Sequence, residues 1–331
     1  MKERYGAIDG LRMIACIGIV MMHIRANNNY EIAGYIYNTV IPSFTDFVFL
    51  FMTVSAFGLC CGYYEKIMKQ EISLSDFYAK RFKKIWPFFA ILVIIDVIMS
   101  PSKEAVYEAF ADLTLLFGFL PNAGNITVIG VGWFLGLIFV FYICFPFFCV
   151  LLAKRKRAWI FFILSLLCNF VCAEYFDIGR SNILYSACFF LAGGLVYLYR
   201  RELSKIGPSL TAIVAVISIA AYYLMGAHAM NSLAVSVCLL IVAVAAKGKL
   251  LENRITRFFS NISLEIYLSH MVLFRVVERL GLNTVFGSGW LQYTFTVLFV
   301  LILTVFFSLG IKKAIKEIEK RTSAALVNIE K

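Results

Sequence analysis

Ten long apolar stretches, at residues 8–25, 44–63, 85–100, 127–153, 158–173, 183–199, 209–225, 230–246, 262–281 and 291–311, recur along the chain with short polar segments between them. A helix that crosses a bilayer needs about 20 apolar residues, within a range of about 17–25. The pattern therefore predicts an all-α polytopic membrane protein of about ten transmembrane helices. Composition agrees: 61% of the 331 residues are hydrophobic and 15% charged, against about 45–50% and 25% in soluble domains. A weaker apolar stretch at 110–120 is expected to be external or re-entrant.

The net charge of +11 would suit a nucleic-acid binder, but the cations sit between apolar spans, and no nucleic-acid partner is expected. Every second connection is basic. With the N-terminus inside, the cytoplasmic segments hold Lys2 and Arg4, six cations between Lys66 and Lys84, four at 154–157, then Arg200, Arg201 and Lys205, four from Lys247 to Arg257, and six after residue 311. That is 25 of the 31 Lys and Arg, and the external segments hold only Arg25, Lys103 and Arg180. Short cytoplasmic loops collect Lys and Arg, so both termini are expected in the cytoplasm. A bacterial cytoplasmic (inner) membrane is the expected location, with the bilayer as partner. Residues 1–331 read as one domain, with 312–331 a short charged cytoplasmic tail, 64–84 the longest cytoplasmic loop and 101–126 the longest external one. The N-terminus is not expected to be a cleaved signal, because Arg12 interrupts its apolar stretch. Nine cysteines without a CxxC lie in or beside apolar runs, which suits packing rather than a disulfide framework or a metal site.

An ionisable side chain inside a span costs at least about 2.5–3.5 kcal/mol at the helix centre, so by default it marks a site. The first span carries Asp9 and Arg12 toward one end and His23 toward the other. Arg12 and His23 are eleven residues apart, close to three helical turns, which places both on one face about 16 Å apart. Taken singly, Arg12 can snorkel to the inner interface and His23 can anchor at the outer one.

The pattern Ile8-Asp9-Gly10-Leu11-Arg12, ten residues, then His23 resembles the opening of the membrane acyltransferase-3 family. Phe51-Met52-Thr53-Val54-Ser55-Ala56-Phe57 resembles that family's Phe-rich second span. Phe77 to Pro87, with Arg81 and Lys84, is similar to its basic segment before the third span. Trp133-Phe134-Leu135 followed by Phe141-Tyr142 and Pro146 resembles its fourth span, and Ser263, Ile266-Tyr267-Leu268 and His270 resemble its late Ser...Ile-Tyr-Leu-x-His segment. Two departures stand out: Ala56 replaces the usual Gly, and no Glu follows Trp133 where many members carry one.

The resemblance implies transfer of an acyl group, usually acetyl, from cytoplasmic acyl-CoA (acetyl-CoA or another acyl-CoA, with no metal) to a hydroxyl of a surface polysaccharide, wall polymer or lipid-linked sugar. His23 suits a general base on the acceptor hydroxyl or a transient acyl carrier, with Asp46 or Asp96 to orient its imidazole. Arg12, Arg81 and Lys84 suit the donor's phosphates, since guanidinium pairs bidentately with phosphate; for the two segment cations the positive-inside rule is a sufficient explanation. Asp9, Ser55, Asp96, Trp133, Tyr267 and His270 are further candidates to line the site. Trp133 and Tyr267 can equally belong to interfacial belts, and for His270 a buried hydrogen bond to another helix is favoured over catalysis. Arg275 with Glu278 and Arg279 reads as a salt-bridged helix end. The sequon Asn125-Ile126-Thr127 matters only in a glycosylating host. The alternative reading is a transporter or substrate-delivery module like the membrane half of vancomycin-resistance serine racemases.

Overall fold

The computed structural model describes residues 5–120, 130–246 and 250–329. Among these residues 82% are helical and none forms a strand. Lys2, Arg4, Lys247, Lys249, the sequon and the first residues of the predicted fourth span lie outside the described residues.

Helix α1 (Ala7–Asn27) is followed by ten further helices of 12 residues or more: α2 (Ile36–Met68), α3 (Leu74–Met99), α4 (Lys103–Thr114), α5 (Trp133–Leu152), α6 (Arg155–Tyr175), α7 (Ile183–Leu198), α8 (Pro208–Met225), α9 (Ala229–Ala245), α10 (Arg254–Arg279) and α11 (Trp290–Ile329). Small residues let α1 pack closely. A side chain at Gly18 would collide with the Phe47 ring of α2. On its other sides α1 packs against α10, α9 and α11.

Local sequence explains the starts. Ser73 caps α3 by accepting from the Asp76 amide at 3.0 Å, and Asn253 and Thr256 form a reciprocal capping box at α10, each satisfying amides that no helical carbonyl can reach. Pro208 opens α8, where its missing N–H costs nothing.

Six helices, α1, α2, α5, α6, α8 and α11, are long and apolar enough to cross a membrane. The other four predicted spans are helical but differ. Helices α7 and α9 are apolar and short, at 16 and 17 residues. Helices α3 and α10 are 26 residues each, with Lys80–Lys84 in one and His270 to Arg279 in the other diluting their hydropathy. The predicted count of about ten is thus met in full by six.

One expected boundary is corrected. The basic segment 64–84 is not a long loop: α2 runs to Met68 and α3 begins at Leu74, so Lys80, Arg81, Lys83 and Lys84 stand on a helix. The Ser73 cap explains why, since it starts the helix a full three turns before the apolar residues. The charged C-terminal tail continues α11, which runs as one helix of 40 residues, about 60 Å long and twice the thickness of a hydrocarbon core.

The stretch 110–120 does not cross. It is the end of the 12-residue α4 and a 3₁₀ turn, Leu116–Phe119, that packs against α5. A side chain at Gly118 would collide with the Gly136 backbone, and one at Gly136 with the Phe117 ring. Likewise Gly193 of α7 lies against Thr53 and Ala56 of α2, so the methyl group at Ala56 is accommodated by a glycine opposite it.

Candidate active site

Because α1 is unbroken, Arg12 and His23 do lie on one helix about 16 Å apart. Each meets a different environment.

Around Arg12 is a cavity of about 280 Å³, bounded also by Ser55, Arg81, Lys84, Tyr142 and Glu265. Gly58 makes room for the guanidinium: a Cβ there would stand 2.9 Å from Arg12 Nη2. Arg81 is positioned by aromatic groups. Its Nη2 donates to the Tyr63 hydroxyl at 2.6 Å, and its guanidinium lies over the Tyr63 and Tyr142 rings at 4.7 and 5.9 Å. Arg12 and Lys84 have no carboxylate ion-pair partner within 4.0 Å among the described residues. The one carboxylate on the cavity wall, Glu265, is paired with Lys312 of α11 at 2.7 Å, and Lys312 also donates to the Asn261 carbonyl at 3.0 Å. Asp9 accepts from Ser260 at 2.7 Å. The cavity therefore presents net positive charge to whatever fills it, an arrangement suited to phosphate groups.

Three rings close the end of this cavity. Tyr267 packs edge-on against Phe134 and Phe51 at 5.2 and 6.3 Å, and its hydroxyl donates to the Val131 carbonyl at 3.0 Å. On the far side Tyr267 meets His270, ring to ring at 6.0 Å.

His270 is fully buried, and its bonds determine its tautomer. Its Nδ1 faces the Tyr267 and Ile266 carbonyls at 2.6 and 3.3 Å; carbonyls only accept, so Nδ1 carries the proton and the neutral ring's Nε2 is an acceptor. That Nε2 stands 3.1 Å from His23 Nδ1, which also faces the Ile19 carbonyl at 3.1 Å. Both neighbours of His23 Nδ1 accept, so Nδ1 is the protonated nitrogen there too. The lone pair of His23 is left on Nε2, which has no hydrogen-bond partner among the described residues. This is the tautomer a base or nucleophile needs.

The structure corrects the partner expected for His23. Asp46 does not orient it: Asp46 Oδ2 accepts from Tyr222 at 2.9 Å and Ser232 at 2.6 Å, on α8 and α9. Asp96 is committed to Arg275, 2.9 Å away. That pair also revises the helix-end reading of Arg275, whose partner is on α3 and not on its own helix. Arg279 likewise reaches across, to the Met99 carbonyl at 3.0 Å.

One residue escaped the sequence reading. Arg180 donates to Thr45 at 2.7 Å and lies over the Trp133 ring at 5.5 Å. The available signal was its rarity, as one of three cations in the predicted external segments. Trp133 is thus a half-buried platform for Arg180 at the start of α5, while Ser55 lies on the Arg12 cavity.

A helical bundle with apolar spans, a cationic cavity at one level and a histidine presenting a free lone pair at another suits group transfer at a membrane. Residues 5–311 match the acyltransferase domain that characterises the acyltransferase-3 family, and the chain belongs to this family. It is a multi-pass membrane acyltransferase. No curated protein and no solved structure matches significantly, and nothing in these comparisons supports the substrate-delivery alternative.

Proposed function

We propose that the chain moves an acetyl or other short acyl group from cytoplasmic acyl-CoA to a hydroxyl of a surface polysaccharide, wall polymer or lipid-linked sugar on the opposite side of a bacterial inner membrane. The observation that carries this reading is the separation on α1: a cluster of cations at the Arg12 end, a free imidazole lone pair at His23, and the rings of Phe51, Phe134 and Tyr267 between them. In this reading the Arg12 end faces the cytoplasm, as the basic connections require.

Arg12, Arg81 and Lys84 hold the donor's phosphates, and the thioester points toward the aromatic layer. At the other end His23 Nε2 is the reacting atom. As a base it takes the acceptor hydroxyl's proton while that oxygen attacks the thioester carbonyl; the tetrahedral intermediate then expels CoA thiolate, which leaves with the proton. As an acyl carrier, the same nitrogen attacks first and the acceptor oxygen second. In both cases the imidazolium that forms is stabilised by its Nδ1–H bond to His270 Nε2.

Purified protein in nanodiscs, assayed for acetyl-CoA affinity and transfer rate, tests this. Arg12→Ala should weaken donor binding, with Arg12→Lys recovering only part because the planar fork is lost. His23→Ala should leave donor binding near normal while turnover falls by roughly 10²–10⁴. Near-normal transfer by His23→Ala would refute the assignment.

A further inference from the structure

We infer that Lys84 is itself a site of acylation: at the mouth of the Arg12 cavity its amine takes the acyl group from acyl-CoA, and the amide that forms weakens further donor binding. The inference rests on the donor reading above and adds a self-limiting regulation to that same cavity.

Lys84 stands where an incoming donor must pass. Arg12 and Tyr142 on the cavity wall are half-buried, whereas Lys84 and Asn261 on the same wall are exposed, so the opening lies on the Lys84 side. A donor that lodges its phosphates on these cations enters with its thin, uncharged thioester end first. That end crosses the opening before the phosphates arrive.

A lysine attacks a thioester only as the neutral amine, and its surroundings favour that form. Arg81, three residues before Lys84 on α3, lies on the same helix face, and Arg12 lines the same cavity. Like charges disfavour a further proton on the amine. The opposing charge, Glu265, is paired with Lys312 at 2.7 Å, which leaves Lys84 without a carboxylate ion-pair partner among the described residues. The other polar groups facing this space are the Tyr63 and Tyr142 hydroxyls. Although the residue is exposed, its amine is crowded by protein on the cavity side. Desolvation, then the charges of Arg12 and Arg81, lower its pKa to about 8 against the pull of Glu265. Arg12 and Arg81 do not react in this way, because a guanidinium keeps its proton.

The step balances without a further reagent. The neutral Nζ attacks the thioester carbonyl carbon and a C–N bond forms. The tetrahedral intermediate then breaks its C–S bond, and CoA thiolate leaves with the surplus proton of the nitrogen as CoA thiol. The amide left on Lys84 is uncharged, so the cavity loses one of its cations and holds phosphates less well.

The test is the full chain in nanodiscs, incubated with acetyl-CoA and no acceptor, with acetyl-lysine located by peptide mass mapping. Lys80 and Lys83 are the internal controls, since both are exposed on α3 and neither lines the cavity. Near neutral pH, Lys84 should gain acetyl groups at least about tenfold faster than either control. Its rate should level off above about pH 8, while theirs still climbs at about pH 9.5. Free CoA, which fills the cavity without bringing an acyl group, should protect Lys84 and not the controls. Acetylated protein should bind acetyl-CoA several-fold more weakly, as should Lys84→Gln, whereas Lys84→Arg, charged but unreactive, should lose no affinity over the same exposure. Acetylation of Lys84 no faster than of Lys80 and Lys83, indifferent to free CoA, or complete without loss of affinity would overturn the inference. The two readings fail separately. Selective acetylation of Lys84 in a protein that transfers nothing to a sugar would refute the reaction and leave the lysine site standing, and sustained transfer with Lys84 unmodified would do the reverse.

Discussion

His270 holds His23 through a single nitrogen-to-nitrogen contact, Nε2 to Nδ1 at 3.1 Å, although 247 residues separate them in the chain. The buried member of the pair is anchored by its own backbone, so its lone pair points at His23 and fixes which nitrogen of His23 is free. His270 is accordingly a positioning residue that acts through its partner.

Removing it should slow turnover without touching the donor. His270→Ala is expected to lower kcat by about 10–10² while acetyl-CoA affinity stays unchanged, and the double variant with His23→Ala should be no slower than His23→Ala alone, because residues acting as a unit are not additive. The pH–rate profile is the readout a merely structural role would not move: it should shift in His270→Ala. An unshifted profile with additive losses would assign His270 to packing.

Gly58 should prove as important for the donor as a charged residue. A methyl group there would stand 2.9 Å from Arg12 Nη2, and since the guanidinium is the free end of a flexible side chain, the fold can yield. Gly58→Ala is therefore expected to raise the acetyl-CoA Kd about tenfold with the melting temperature little changed. Unaltered donor affinity would place the donor away from Arg12.

The pairing of Glu265 with Lys312 keeps the cavity's carboxylate compensated. In Lys312→Ala that carboxylate faces the donor's phosphates unopposed, and acetyl-CoA affinity should fall by several-fold. Adding Glu265→Gln should restore it. A double variant as weak as the single one would show that Lys312 itself touches the donor.

Arg12 and His23 were legible because a helix is periodic: eleven residues is three turns, whatever surrounds them. The bond from His23 to His270 was not, because it depends on how α10 is rotated and shifted against α1, which packing decides. The partners of Asp46 are hidden for the same reason. Its depth was apparent, but its direction, toward Tyr222 and Ser232, is set by where α8 and α9 dock. A run of cations beside an apolar stretch does not by itself separate a loop from a charged helix start, and for Lys80 to Lys84 the Ser73 cap decides for the helix. The family resemblance correctly anticipated the match over residues 5–311, yet no motif in it flagged Arg180.

On α4, outside the candidate spans, Asp112 is fully buried with neither oxygen hydrogen-bonded among the described residues. Burial pushes its carboxyl up to about 7, and the negative charges of Glu108 and Asp96 add to this. The folded protein therefore holds a proton that the unfolded chain releases near pH 4. Stability should be greatest at or below about pH 4, fall as pH rises toward 7, and level off above. Asp112→Asn removes this penalty, so it should match the parent near pH 4 and exceed it at pH 8 by on the order of 2–4 kcal/mol. Melting curves across that range decide, and parallel profiles for the two proteins would rule out the carboxyl as the source.

The layer made by Phe51, Phe134 and Tyr267 has an electrical meaning under the proposed orientation. Moving one elementary charge across a membrane is worth about 2.3 kcal/mol per 100 mV, and the cavity on the Arg12 side pushes that drop toward the rings and beyond. The multiply charged nucleotide part of the donor remains at Arg12, outside the steep field. Only the uncharged thioester end of the donor reaches into it, and for that end the membrane voltage is no obstacle.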